Sequence, residues 1–187
     1  MASVIVVVMG VAGAGKTTVG TALAQALGWA FVDGDDMHPP ANVEKMRRGE
    51  PLDDSDRLPW LESLGRLMAR MDREGIDAVF ACSALRAAYR ARLTASSPRI
   101  VWVYLRAEPA TIRMRLAARR GHFAAASLID SQFAALEVPR TGLSLDAAQP
   151  VEAIVANVLA GLRSLDPQSA DGKNQAARHG RVETPSA

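Results

Sequence analysis

The 187-residue chain has one cysteine, three lysines and no apolar run approaching the length of a membrane span. A lone Cys82 excludes an internal disulfide framework and any multi-cysteine zinc site, and it fits a reducing compartment. Flanked by Phe80, Ala81 and Ala84, it reads as a buried packing residue. The N-terminal segment carries no basic stretch ahead of its apolar residues, which fall far short of the ~20 needed to cross a bilayer. A cytoplasmic protein without membrane contact is therefore expected. Net charge is also nearly absent: 22 basic residues face 20 acidic ones, leaving +2, so the composition predicts no polyanion-binding surface and no nucleic-acid partner. Large apolar side chains are scarcer than the 49% apolar fraction suggests, because 34 of those residues are alanine. The remaining 57 suffice for one buried core, and the length fits one domain better than two.

What the chain does have is an alternation of short β-branched runs with stretches of helical period, the pattern of a parallel sheet with crossover helices. Strands are expected at Val4–Val8, Ala30–Asp33, Asp77–Ala81, Ile100–Leu105 and Leu143–Asp146. Helices are expected at Lys16–Leu27, Trp60–Arg73, Leu85–Thr94, Pro109–Arg119, Leu128–Leu136 and Val151–Leu165. The expected architecture is a three-layer α/β domain over residues 1–165, with a five-stranded parallel sheet between helices. Residues 35–60, rich in Pro, Asp and Arg, are too long for a plain connection and read as a partly helical substrate-binding insert. Residues 119–128, with Gly121 and a run of alanines, read as a lid. Residues 166–187 lack apolar period and read as a disordered tail. There is no internal repeat.

Gly10-Val11-Ala12-Gly13-Ala14-Gly15-Lys16-Thr17 matches the G-x-x-x-x-G-K-[ST] pattern and lies between an expected strand and an expected helix, the context a phosphate loop requires. Glycines let the backbone wrap phosphate oxygens, and the N–H groups at the helix N-terminus form the anion cradle. Lys16 is expected to reach the β- and γ-phosphates, Thr17 to hold Mg²⁺ and Thr18 to add a phosphate contact, which makes ATP and Mg²⁺ the expected ligands. A guanine-reading Asn-Lys-x-Asp motif is missing. The third strand also lacks the terminal Asp that assists Mg²⁺ in many ATPases.

The missing carboxylate has a replacement at the end of the second strand, where Asp33 and Asp35 face the ligand crevice of an open parallel sheet. Asp33 is assigned to Mg²⁺, and Asp35 to orienting the acceptor hydroxyl and taking its proton. Arg86 and Arg90, spaced i,i+4, repel one another unless an anion sits between them or water screens them. They read either as an acceptor-carboxylate site or as a solvated helix face. Arg57 either joins that site or pairs with neighbouring acids, and His38 is either a donor to the acceptor or a turn residue. Arg113, Arg115, Arg119 and Arg120 lead into the lid, from which arginines can stabilise a transferring phosphoryl group.

Together these segments resemble the gluconokinases, small P-loop kinases related in fold to shikimate and adenylate kinases. The resemblance rests on Asp33-Gly-Asp-Asp-Met-His-Pro39, Asn42-Val-Glu-Lys-Met46, Gly49-Glu-Pro-Leu-Asp-Asp-Ser-Asp-Arg-Leu-Pro-Trp-Leu61 and Cys82-Ser-Ala-Leu-Arg86 with Tyr89-Arg90. Further on it rests on Arg115-Leu-Ala-Ala-Arg-Arg-Gly-His-Phe123, Ser131-Gln-Phe133, Leu136-Glu-Val-Pro139 and Gln149-Pro150. It implies ATP-dependent phosphorylation of D-gluconate at its 6-hydroxyl. On that footing Arg57, Arg86 and Arg90 would meet the carboxylate, with Asp35, His38 and His122 along the hydroxyl chain. Arg115 would pack on adenine, Arg119 would reach the phosphates and Gln149-Pro150 would close over the base. A homodimer is implied as well. Two alternatives stay open at this point: the same fold acting on another small hydroxylated acid such as shikimate, and an Arg-rich nucleic-acid-binding ATPase, which the near-neutral charge disfavours.

Overall fold

The structure, a computed structural model, describes residues 3–97, 99–117 and 126–165. Its first strand, β1 (Ile5–Met9), is buried at every position, as a strand covered on both faces must be. Four further strands follow: β2 (Ala30–Asp33), β3 (Ala78–Ala81), β4 (Ile100–Arg106) and β5 (Leu143–Asp146). All pair in parallel in the order β2-β3-β1-β4-β5, with Val7 level with Phe80 on one side and Trp102 on the other.

Alternation along β1 divides the core in two. Val6 and Val8 face α1 (Lys16–Leu27), α5 (Pro109–Ala117) and α7 (Val151–Leu165) through Val19, Leu23, Ile112, Ile154 and Val158. Ile5, Val7 and Met9 face α3 (Asp54–Glu74) and α4 (Ala87–Ser96) through Trp60, Leu64, Met68 and Leu93. The expected three-layer α/β fold with five parallel strands is what the chain adopts. Cys82 is completely buried among the second group, and burial pushes its thiol up to about 12, so it is a packing residue.

The insert departs from its expected outline. It holds a 3₁₀ turn (Gly34–Met37), then α2 (Pro40–Arg47), and α3 begins at Asp54, six residues before the apolar period does. A capping box explains the early start: the Asp53 carboxylate accepts from Asp56 N–H while the Asp56 side chain accepts from Asp53 N–H. Two donors satisfied at once fix the first turn, and the helix continues through Pro59. After β3, α4 starts two residues later than the apolar pattern suggests, and α6 (Ala126–Ala135) takes in the last three residues of the expected lid. The rest of that lid, 119–125, and the tail 166–187 lie outside the described residues. Among the described residues, no helix is long and apolar enough to cross a membrane.

Candidate active site

The C-terminal ends of β1, β2 and β3 converge on one cleft. At β1 the chain turns through Gly10 at φ +145°, where a Cβ would lie 2.9 Å from the Leu105 carbonyl oxygen, so the loop can leave the strand only with glycine at this position. The loop closes when Ala14 N–H donates to Val11 O at 3.2 Å, and Lys16 Nζ donates to the same carbonyl at 3.1 Å. Gly15 caps α1 without a side chain, leaving Lys16, Thr17 and Thr18 in the first turn, where free N–H groups and the helix dipole favour an anion.

Thr17 Oγ1 donates to Asp33 Oδ2 at 2.7 Å, joining residues 16 apart in sequence. A hydroxyl and a carboxylate oxygen at one point are the hard oxygen donors that Mg²⁺ prefers. Among the described residues no group of three or more His, Cys, Asp or Glu could hold a metal unaided, so Thr17 and Asp33 fit an ion that arrives with a nucleotide's phosphates. The extended backbone expected for both acids ends at Asp33, whose Oδ1 accepts from Asp35 N–H at 3.0 Å and starts the 3₁₀ turn. That turn, rather than strand alternation, presents Asp35 to solvent. It is held from below by Trp60, fully buried, which donates Nε1–H to Gly34 O at 2.7 Å. A Cβ on Gly34 would meet Ala81 O at 2.7 Å, so glycine is what lets the turn press against β3.

His38 stacks on Trp60 with ring centroids 4.3 Å apart, and its Nδ1 lies 3.3 Å from Asn42 Nδ2. Burial lowers its pKa below the ordinary 6.5, with Asp35 opposing and Arg57 adding to the shift. His38 is thus a neutral ring packed into the insert.

Arg57, Arg86 and Tyr89 line a cavity of about 180 Å³ together with Leu85, Ser131 and Gln132. The Tyr89 ring has a guanidinium carbon 5.9 Å from its centroid on two counts, one from Arg57 and one from Arg86. Arg86 Nη1 donates to both oxygens of Asp54, at 2.7 and 2.8 Å, and the Tyr89 hydroxyl donates to Asp54 as well. Burial, then that hydrogen bond, raises the Tyr89 pKa to about 12. Arg57 Nε donates to Leu52 O at 3.2 Å.

Arg86 and Arg90 do not behave as a pair. Arg86 has an extended backbone as the residue capping α4, whereas Arg90 is buried, its Nη1 donating to Ala84 O and Leu85 O at 2.9 Å each. Burial lowers the Arg90 pKa, with Glu137 opposing. Ala84 is the only non-glycine residue at positive φ (+40°) among the described residues, and Arg90 holds its carbonyl. Glu137 completes the loop: its carboxylate accepts from Ala87 N–H at 2.8 Å, and its own N–H donates to Leu85 O at 2.9 Å. Sequence reasoning assigned no role to Asp54, Glu137 or Gln132. All three lie in segments that carry the family resemblance, which names no role for them; Asp54 also stands beside the acids near Arg57.

At the β5 edge of the sheet, opposite the insert that follows β2, Arg115 Nη2 donates to Ala147 O at 2.7 Å, tying α5 to the loop that carries the exposed Gln149 and Pro150. Arg119 and His122 lie outside the described residues. A larger open groove of about 380 Å³ is lined by Arg66, Leu67, Ala69, Arg70 and Arg73, all on α3 and none part of the cleft.

Residues 5–139 match a family described as an AAA domain. A gluconokinase of Gluconobacter oxydans (strain 621H) is 50% identical over 133 residues, 71% of this chain and 75% of that protein. The thermoresistant gluconokinase of Escherichia coli (strain K12) is 40% identical over 159 residues, 83% of this chain and 91% of that protein. The crystal structure of a gluconokinase from Sinorhizobium meliloti 1021 superposes with a TM-score of 0.80 at 40% identity, covering 89% of this chain and 95% of that one.

Proposed function

The chain belongs to the gluconokinase family, and from that premise we propose that it transfers the γ-phosphoryl group of ATP to the 6-hydroxyl of D-gluconate, giving 6-phospho-D-gluconate and ADP. One observation carries the reading: the cavity lined by Arg57 and Arg86 abuts the phosphate loop, because Gln132 both lines it and accepts from Ala12 N–H. A phosphate cradle and a cationic pocket in direct contact suit an acceptor with a carboxylate at one end and a reactive hydroxyl at the other.

In this reading Arg57 and Arg86 hold the carboxylate, and Arg90, behind them, fixes the loop that carries Arg86. Asp35 orients the 6-hydroxyl and takes its proton as that oxygen attacks the γ-phosphorus; the new P–O bond forms as the bond to the β-phosphate oxygen breaks and ADP leaves. Lys16 and the loop N–H groups not already bonded to Val11 O or Gln132 stabilise charge on the transferred group. Thr17 and Asp33 would hold Mg²⁺, which neutralises charge on the β- and γ-phosphates. Arg115 packs on adenine with Gln149 and Pro150 closing over it, while the 119–128 lid brings Arg119 to the phosphates. His38 and His122 lie along the hydroxyl chain. The family pattern supports a cytoplasmic homodimer that needs neither membrane nor nucleic acid.

The test is ADP release from the purified protein across a panel of sugar acids, shikimate and nucleoside monophosphates. Preferred turnover of gluconate is expected, and preferred turnover of shikimate or a nucleotide would overturn the assignment.

A further inference from the structure

Gln132 sits on α6, 120 residues from the phosphate loop, yet its Oε1 accepts from Ala12 N–H at 2.7 Å. The orientation of its amide follows from chemistry: a backbone N–H can only donate, so the oxygen must face the loop and the Nε2 group must face elsewhere. Among the described residues, Nε2 has no partner, and the side chain lines the cavity that holds Arg57, Arg86 and Tyr89. Ala12 is the third residue of the loop, so this amide links the phosphate loop to the cavity that holds the arginines.

We propose that Gln132 is a specificity-determining residue: it holds the phosphate loop through Oε1 and donates through Nε2 to a hydroxyl of the acceptor chain. The inference rests on the reading of the protein as a gluconate kinase. One side chain thereby sets the distance between the phosphate cradle and the polyol, which a purely electrostatic pocket cannot do. Two arginines recognise any small carboxylate; a fixed amide donor adds a requirement for a hydroxyl at one place along the chain. A site built to hydrogen-bond a hydroxyl discriminates strongly against an acceptor lacking it.

The experiment measures KM and kcat for Gln132→Leu and Gln132→Met with ATP, D-gluconate and each monodeoxy gluconate at carbons 2 to 5. For both variants the gluconate KM is expected to rise roughly tenfold, the worth of one hydrogen bond, beyond any change in ATP KM from loss of the Oε1 tie, which is the same with every acceptor; the melting temperature stays within a few degrees of wild type. With one of the monodeoxy acceptors, wild type and variant should have the same KM, because the hydroxyl that Nε2 would reach is already gone. A variant penalty equal across gluconate and all four deoxy acceptors means that Gln132 only ties α6 to the loop, and this overturns the proposal, as does an unchanged gluconate KM. If wild type fails to turn over gluconate, the kinase reading falls and the inference with it; either result above with an active wild type sinks the inference alone.

Discussion

At the phosphate end of the cleft the groups aimed at a ligand are backbone N–H donors, positioned by where β1 stops and α1 starts. At the end we assign to the acceptor they are long side chains, Arg57, Arg86 and Tyr89, positioned by one another and by Asp54. The first arrangement is specified over eight consecutive residues, Gly10 to Thr17, and among the described residues its distant partners are Asp33, on the Thr17 hydroxyl, and Gln132, on the Ala12 N–H. The second draws on α3, α4 and the segment after α6, with hydrogen bonds between them spanning 32 to 52 residues. A phosphate is recognised the same way in many proteins and suits a prefabricated cradle, whereas an acceptor is recognised individually and is met by side chains that can be exchanged without disturbing the sheet.

Breaking the phosphate end should cost the most. Lys16→Ala is expected to lower kcat by about 10²–10³-fold, the scale of one lost charge-stabilising donor, with the fold intact because its internal hydrogen bond runs only to Val11 O. Asp35→Asn should lower kcat by about 10²–10⁴-fold, the range for a general base. Both are read by coupled ADP release at saturating substrates. An Asp35→Asn enzyme within twofold of wild type would remove Asp35 as the base.

Next in size is the contrast between two arginines four residues apart. Arg86→Ala should raise the gluconate KM by about 10–100-fold, since a charge-assisted hydrogen bond contributes roughly 1.5–3 kcal/mol. Its stability effect should be small, because the exposed pair with Asp54 contributes at most about 1 kcal/mol. Arg90→Ala should do the reverse, lowering the melting temperature by several degrees as two carbonyls in the Ala84 loop lose their donor. Equal effects of Arg86→Ala on the ATP and gluconate KM values would refute the carboxylate assignment.

These two arginines also show what a sequence can and cannot reveal. The strands, their parallel pairing and the phosphate loop were legible because each leaves a local pattern: burial on both faces makes β1 apolar throughout and β4 apolar up to its exposed last residue, Arg106, and glycine spacing reports a backbone path. Asp33 was legible because a carboxylate at a strand end faces the crevice. The i,i+4 spacing of Arg86 and Arg90 suggested a shared helical face, but α4 begins only at Ala87, so Arg86 is not on the helix. What delays it is long-range: Glu137 satisfies Ala87 N–H and Leu85 O from 50 and 52 residues away, which no local pattern announces. Gln132 was hidden for the same reason, since nothing near it in sequence marks a partner at Ala12.

Glu137→Ala tests that long-range cap with a smaller effect. Loss of a capping acceptor costs about 0.5–2 kcal/mol, or a few degrees of melting temperature in a domain of this size. Because the cap supports the loop bearing Arg86, the gluconate KM should rise by less than for Arg86→Ala while the ATP KM stays unchanged. If the ATP KM moves instead, the cap serves the phosphate end and the two ends are not separable.

The smallest expected effect concerns pH, and it again separates the ends, since His38 belongs to the acceptor insert. Burial against Trp60 holds its folded pKa below the 6.5 it has when exposed. Above about pH 6.5 the ring is neutral in both folded and unfolded chains and contributes no pH dependence. As pH falls through 6.5 toward the lowered folded value, the unfolded chain binds the proton first, so stability is lost across that window. Other groups also titrate in acid, so the informative quantity is the difference between wild type and His38→Phe, which keeps a ring on Trp60 but has no proton to bind. Urea unfolding between pH 7.5 and 5 should show wild type losing stability more steeply below about pH 6.5. Identical slopes would mean that the His38 ring is as well solvated in the folded insert as in the unfolded chain, and hence that the acceptor end is as open to water as the phosphate end.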